Sequence, residues 1–226
     1  MSEYSTYFLF IVLFISLFIT RQWIVQKLYL LFYLLTRSHR TALYCVAVLF
    51  FPGTVVHEMA HAVSAMVLHL HVTSITLIPH IHHNGVVLGS VEYYRKDRLR
   101  SIAVGIAPVV VGLCFVYISG SVGTLPFNSV VWNSVYLYCM YVVISSMFSS
   151  KQDLKDVGYV VPLLILILIV VIIFRIPVID WMSRGAHSKT LIQLVSTVNT
   201  QLLFICGANV ALMILYLVIS RTLQKS

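Results

Sequence analysis

Apolar runs long enough to cross a bilayer dominate this chain, at residues 41 to 70, 101 to 119, 129 to 148, 159 to 178 and 199 to 220. About 20 such residues in a helix match the hydrocarbon thickness of a membrane, and within it only helices or closed barrels satisfy their own backbone. The first forty residues carry two shorter runs, 6 to 20 and 23 to 36, separated by Arg21 and Gln22. They predict either one long tilted helix or a span followed by an interfacial helix. The expected fold is an all-α polytopic membrane protein of about six transmembrane helices, one membrane domain over residues 1 to 226. Residues are 60% hydrophobic and only 10% charged, so no polar stretch is long enough to bury a separate soluble core. The N-terminal stretch has no basic leader and no A-x-A-like site, so it is expected to remain a membrane segment and not to be cleaved as a signal peptide.

The formal charge of +8 does not point to nucleic acid, because the Lys and Arg residues lie in short clusters between apolar runs. If spans alternate, Arg95, Lys96, Arg98, Arg100, Lys151, Lys155, Arg221 and Lys225 share one side, expected to be cytoplasmic. Arg37, Arg40, Arg175, Arg184 and Lys189 then fall on the other. Cys45, Cys114, Cys139 and Cys206 each stand alone in an apolar run, which reads as packing and not as a disulfide framework or a zinc finger.

Between the second and third spans the character changes. Residues 72 to 94 are rich in β-branched side chains, and Asn84-Gly85 suits a two-residue hairpin turn because both positions tolerate positive φ. Pro79 places the first strand at an edge. A small β-hairpin at the membrane surface is expected, and an exposed strand edge could hold an unwound peptide by strand addition. His80, His82 and His83 have no carboxylate or Cys partner nearby and read as polar hairpin residues, while His69 and His71 mark a helix end.

The second span contains His57-Glu58-Met59-Ala60-His61, an H-E-x-x-H sequence. On a helix, residues four apart lie on one face, so both imidazoles can address one zinc ion. The Glu beside the first His is then placed to take a proton from water activated by the metal. An ionisable residue at membrane depth costs about 2.5–3.5 kcal/mol on insertion scales, so its presence reads as functional. Pro52 and Gly53, one turn earlier, are expected to interrupt the helix where it lines a water-filled cavity. His61 to Leu70 is about 13 Å of helix, which places the site within the bilayer but nearer the cytoplasmic face.

A third protein ligand must come from a short acidic inventory. Glu3 is terminal, Asp97 sits in the basic run YRKDRLR, and Asp180 is expected on the far side. Asp153 and Asp156, at the cytoplasmic end of the fourth span, are the candidates this leaves. Both follow the apolar run, so the chain would have to dip back toward the metal. As solvated loop charges they would instead pair with Lys151 and Lys155.

With these residues the chain resembles the site-2 protease family of intramembrane zinc metalloproteases, as a short, divergent member without a PDZ-like domain. The resemblance covers about residues 41 to 158, a catalytic three-helix core with the β-hairpin at about 72 to 94, leaving two C-terminal transmembrane helices in 159 to 226. Gly105 to Gly112, GIAPVVVG, is similar to the family's middle element. In the third element neither L-D-G nor its upstream Pro is present, and Ser145, Ser146, Ser149 and Ser150 stand where Asn and Pro are usual. The resemblance implies His57, His61 and Asp153 as zinc ligands, with Asp156 the alternative, and Glu58 as the general base. It also implies a membrane-anchored protein substrate cut in or near its transmembrane segment. Two rival expectations are a prenyl-protein-processing type of membrane metalloprotease and a non-catalytic zinc-binding scaffold. The first needs a glutamate ligand further along, and only Glu92 follows the motif. The second leaves Glu58 without a ligand role.

Overall fold

The structure, a computed structural model, describes residues 3–77, 80–82, 85–87, 89–94, 96–123, 126–147 and 188–225. The span expected at residues 159 to 178 lies outside them. Within the described residues the protein is mostly helical, with α1 (Glu3–Thr36), α2 (His39–Val67), α3 (Arg98–Val122), α4 (Val130–Ser146) and α5 (Ser188–Lys225). Four of these, all but α4, are long and apolar enough to cross a membrane. Large apolar side chains face outward along them, such as Phe8, Val48, Val67 and Ile118, a surface that a bilayer would cover.

Residues Glu3–Thr36 form one continuous helix of 34 residues, so Arg21 and Gln22 do not divide it. Neither residue is a helix breaker, and a long helix absorbs two polar positions without losing backbone bonds. The α1–α2 corner is tight: Arg37 takes a left-handed φ of 56°, and Ser38 caps α2 by accepting from Thr41 N.

Pro52 does not interrupt α2, which runs unbroken from His39 to Val67. The helix is held on both sides of the proline by α4. Tyr138 donates its hydroxyl to Leu49 O at 2.8 Å, and Ser146 donates to Gly53 O at 2.9 Å. Gly53 is there for space, since a Cβ would lie 2.5 Å from Val142 O. The expected helix break is thus a close helix crossing.

At its C-terminus α2 closes with a left-handed His69 (φ 55°), with Leu70 N bonded to Ala65 O and His69 N to Met66 O. These two bonds satisfy otherwise orphaned carbonyls, and Leu70 packs with Ala65 and Val104. Arg100 of α3 reaches back to donate to Leu68 O at 3.2 Å, while Asp97 caps α3 through Arg100 N at 2.8 Å.

The insertion contains two antiparallel pairs. Strand β1 (Val72–Thr76) pairs with β4 (Ser90–Tyr93) in the register Ile75 to Val91, and β2 (His80–His82) pairs with β3 (Gly85–Val87). His82 pairs with Gly85. Gly85 is therefore a paired strand residue and not the second residue of the Asn84-Gly85 turn expected from sequence.

The central core gathers Leu13 and Leu17, Val116, Met140, Ile144 and Met147, and Val198, Leu202 and Ile205. Helix α5 runs parallel to α1: Asn199 donates to Thr6 O, Asn209 to Thr20 Oγ, and Tyr216 lies beside Lys27. Arg221 consequently points toward the same end of this pair as Arg37, not the opposite end that alternating spans predict.

Candidate metal site

His57 and His61 sit one turn apart on α2 with their Nε2 atoms 3.2 Å from each other and their rings near perpendicular. Two nitrogens bound to one zinc at about 2.0–2.1 Å in tetrahedral geometry stand about 3.3 Å apart, so the pair fits that ion. His61 is buried, and its Nδ1 lies 2.9 Å from Val104 O on α3. A carbonyl only accepts, so Nδ1 carries the proton and Nε2 presents its lone pair toward His57. A cation between the rings would replace the one proton that a neutral pair shares.

Glu58 is also buried, at 7% exposure. Gly89, immediately before β4, lies directly against it: a Cβ there would fall 2.7 Å from Glu58 Cγ, 3.1 Å from Glu58 Oε1 and 3.0 Å from Thr54 Cγ2. The insertion therefore reaches over the carboxylate, and only a residue without a side chain fits. Gly89 was not singled out from the sequence, although a lone glycine in a strand-like run is the usual mark of a close backbone approach.

Helix α4 ends in the interior, not at a surface. Val142, Val143, Ile144, Ser145 and Ser146 are buried, Ser146 bonds Gly53 O, and Met147 fills the space beside Gly112 of α3. Gly53 lies four residues before His57, about 6 Å along the helix. The C-terminal end of α4 at Ser146 thus lies about one turn from the motif.

Asp153 and Asp156 lie outside the described residues. Among the described residues no three His, Cys, Asp or Glu side chains converge on one point. The structure brings together His57 and His61, with Glu58 adjacent on the same helix. Of the remaining histidines, His71 is exposed and stacks on Tyr94, and His80 and His82 are paired in β2. No protein-family model matches the chain, and no curated protein or solved structure matches it.

Proposed function

We propose that the protein is a multi-pass, intramembrane zinc metalloprotease of the site-2 protease type, cutting a membrane-anchored protein in or near its transmembrane segment. The observation that carries this reading is the His57–His61 pair, 3.2 Å apart at Nε2, with a buried Glu58 on the same turn. His57 and His61 hold the ion, and Asp153, or else Asp156, supplies the third ligand from the chain leaving α4. Zinc there would supply Lewis acidity and bring the pKa of a bound water toward about 7. Glu58 takes the proton from the attacking water and returns it to the leaving amine. Its burial under Gly89 keeps bulk water away and holds the carboxylate in one place. The position of β4, which starts one residue after the Gly89 that lies against Glu58, supports an extended substrate paired to the sheet. The site lies within the bilayer, nearer the face that carries Arg98 and Arg100.

The test is hydrolysis of a panel of transmembrane substrates by purified protein beside Glu58→Gln, with metal analysis of both. Equal cleavage by the two would sink the reading, and zinc bound by both without any cleavage would favour a non-catalytic scaffold. Metal analysis of Asp153→Ala and Asp156→Ala assigns the third ligand.

A further inference from the structure

The carbonyl that orients His61 belongs to Val104, and Val104 is four residues before Pro108, inside the same unbroken helix. In an α-helix the carbonyl of residue i accepts from the N–H of residue i+4. Proline has no N–H, and its ring also pushes the carbonyl four residues back away from the axis. Val104 O is therefore the one carbonyl in this stretch of α3 that the helix itself cannot satisfy. Left so in an apolar interior, it would carry a substantial penalty.

Its partner is His61 Nδ1, at 2.9 Å. Val104 and Pro108 are both buried on the face of α3 that also carries Ser101, Gly105 and Gly112, so the outward tilt is toward neighbouring chain and not toward lipid. Each group answers the other's need: the carbonyl lacks a donor, and the imidazole needs an acceptor at Nδ1 to keep its lone pair at Nε2. At the other interior proline the arrangement differs, because the α4 donors Tyr138 and Ser146 go to Leu49 O and Gly53 O.

We infer that Pro108 is a positioning residue for the metal site: by withholding an N–H from Val104 O it reserves that carbonyl for His61 and fixes which imidazole nitrogen faces His57. This rests on the zinc reading for its consequence, though the hydrogen bond itself does not. Partners that orient a metal-binding histidine typically carry 10- to 100-fold in metal affinity. A carbonyl has two lone pairs and could accept twice, so the expected loss on restoring the N–H is at the lower end, about tenfold.

The experiment has two readouts. In the metal-free protein, ¹⁵N spectra of labelled histidine, assigned by comparison with His61→Ala, report the His61 tautomer. Wild type is expected as the Nδ1–H form and Pro108→Ala as a mixture, and an Nε2–H wild type overturns the inference whatever the variant does. In the second, zinc affinity is measured by chelator competition for wild type, Pro108→Ala and the double change Pro108→Ala with Val109→Pro. The double change keeps a proline in α3 but frees Gly105 O instead of Val104 O. Weakened binding in both variants, with helicity retained, is the expected result. Recovery in the double change would mean that Pro108 acts only by bending α3, and undiminished binding in Pro108→Ala would also overturn the inference. Wild type that holds the Nδ1–H tautomer but takes up no zinc would instead overturn the metalloprotease reading.

Discussion

The two sides of this bundle are packed by different means. Around α2 and the C-terminal end of α4, contact is made at residues that have no side chain: Gly53 against α4, Gly89 against Glu58 and Gly112 of α3 against Met147. Between α1 and α5, it is made by Leu13, Leu17, Leu202 and Ile205, with Asn199 and Asn209 donating to Thr6 O and Thr20 Oγ. At Gly53 the neighbour is the backbone carbonyl of Val142, which has no rotamer to yield, and at Gly89 and Gly112 it is a buried side chain of Glu58 or Met147, whereas leucine and isoleucine can repack at modest cost. The first side leaves little room for added volume; the second supplies cohesion. Function should therefore fail first around α2, and stability should be tunable along α5.

The sharpest break of that contrast is Gly89→Ala. The added Cβ would lie 2.7 Å from Glu58 Cγ, so either the carboxylate or the start of β4 must move. A misplacement of about 1 Å at a reacting group costs about 100-fold in rate, and that loss is expected in kcat. Zinc content should be unchanged, because His57 and His61 are not touched. Normal kcat in Gly89→Ala would mean that the insertion does not position Glu58.

Next is Gly53→Ala, whose Cβ would sit 2.5 Å from Val142 O and 2.6 Å from Ser146 Oγ. The obstacle is partly backbone, so α2 and α4 must separate. A loss of about 1–3 kcal/mol is expected from overpacking, read as a lowered unfolding midpoint in detergent, together with weaker zinc retention if α4 brings the third ligand. An unchanged midpoint would show that the α2–α4 crossing is looser than its geometry.

This division also explains what the sequence could convey. The β-rich insertion, the shared face of His57 and His61 and the apolar runs of four long helices follow from local periodicity, and the described residues have them; the run at 129 to 148 forms the shorter α4, and the run at 159 to 178 lies outside the described residues. The continuity of α1 across Arg21 and Gln22 and the passage of α2 through Pro52 did not follow, because each depends on packing against another element. The register at His82–Gly85 differed by one residue because Asn-Gly is a strong local signal that the pairing of β2 with β3 overrides. Gly89 over Glu58 and Val104 O on His61 join residues far apart in sequence, and no spacing rule announces them. The parallel course of α1 and α5 was hidden by assuming that successive spans alternate. Asp153 and Asp156, between which the sequence left the proposed third ligand, lie outside the described residues.

Smaller effects belong to α5. Gly207 has open space where a Cβ would go and no left-handed φ, so Gly207→Ala should stabilise by about 0.5–1 kcal/mol through helix propensity and a less mobile unfolded chain. The same substitution at Gly53 is expected to have the opposite sign, and finding one sign for both would erase the distinction between the two sides.

The finest test is Asn209→Leu. Asn209 accepts from Tyr141 at 2.8 Å and donates to Thr20 at 3.0 Å, which in turn donates to Ser16 O. One amide thus ties α5 to α4 and α1. Hydrogen bonds between membrane helices average only about 0.6 kcal/mol, since the separated helices find other partners. Leucine also adds apolar contact where Ile24 and Met213 already lie near. The net loss should be small, about 0.5–1 kcal/mol in the unfolding free energy, with zinc content and kcat unaltered. A fall in kcat would mean that α5 reaches the site through Tyr141 and α4, since Tyr141 lies one helical turn from Ser145 and Ser146. The separation of cohesion from positioning would then fail at that helix.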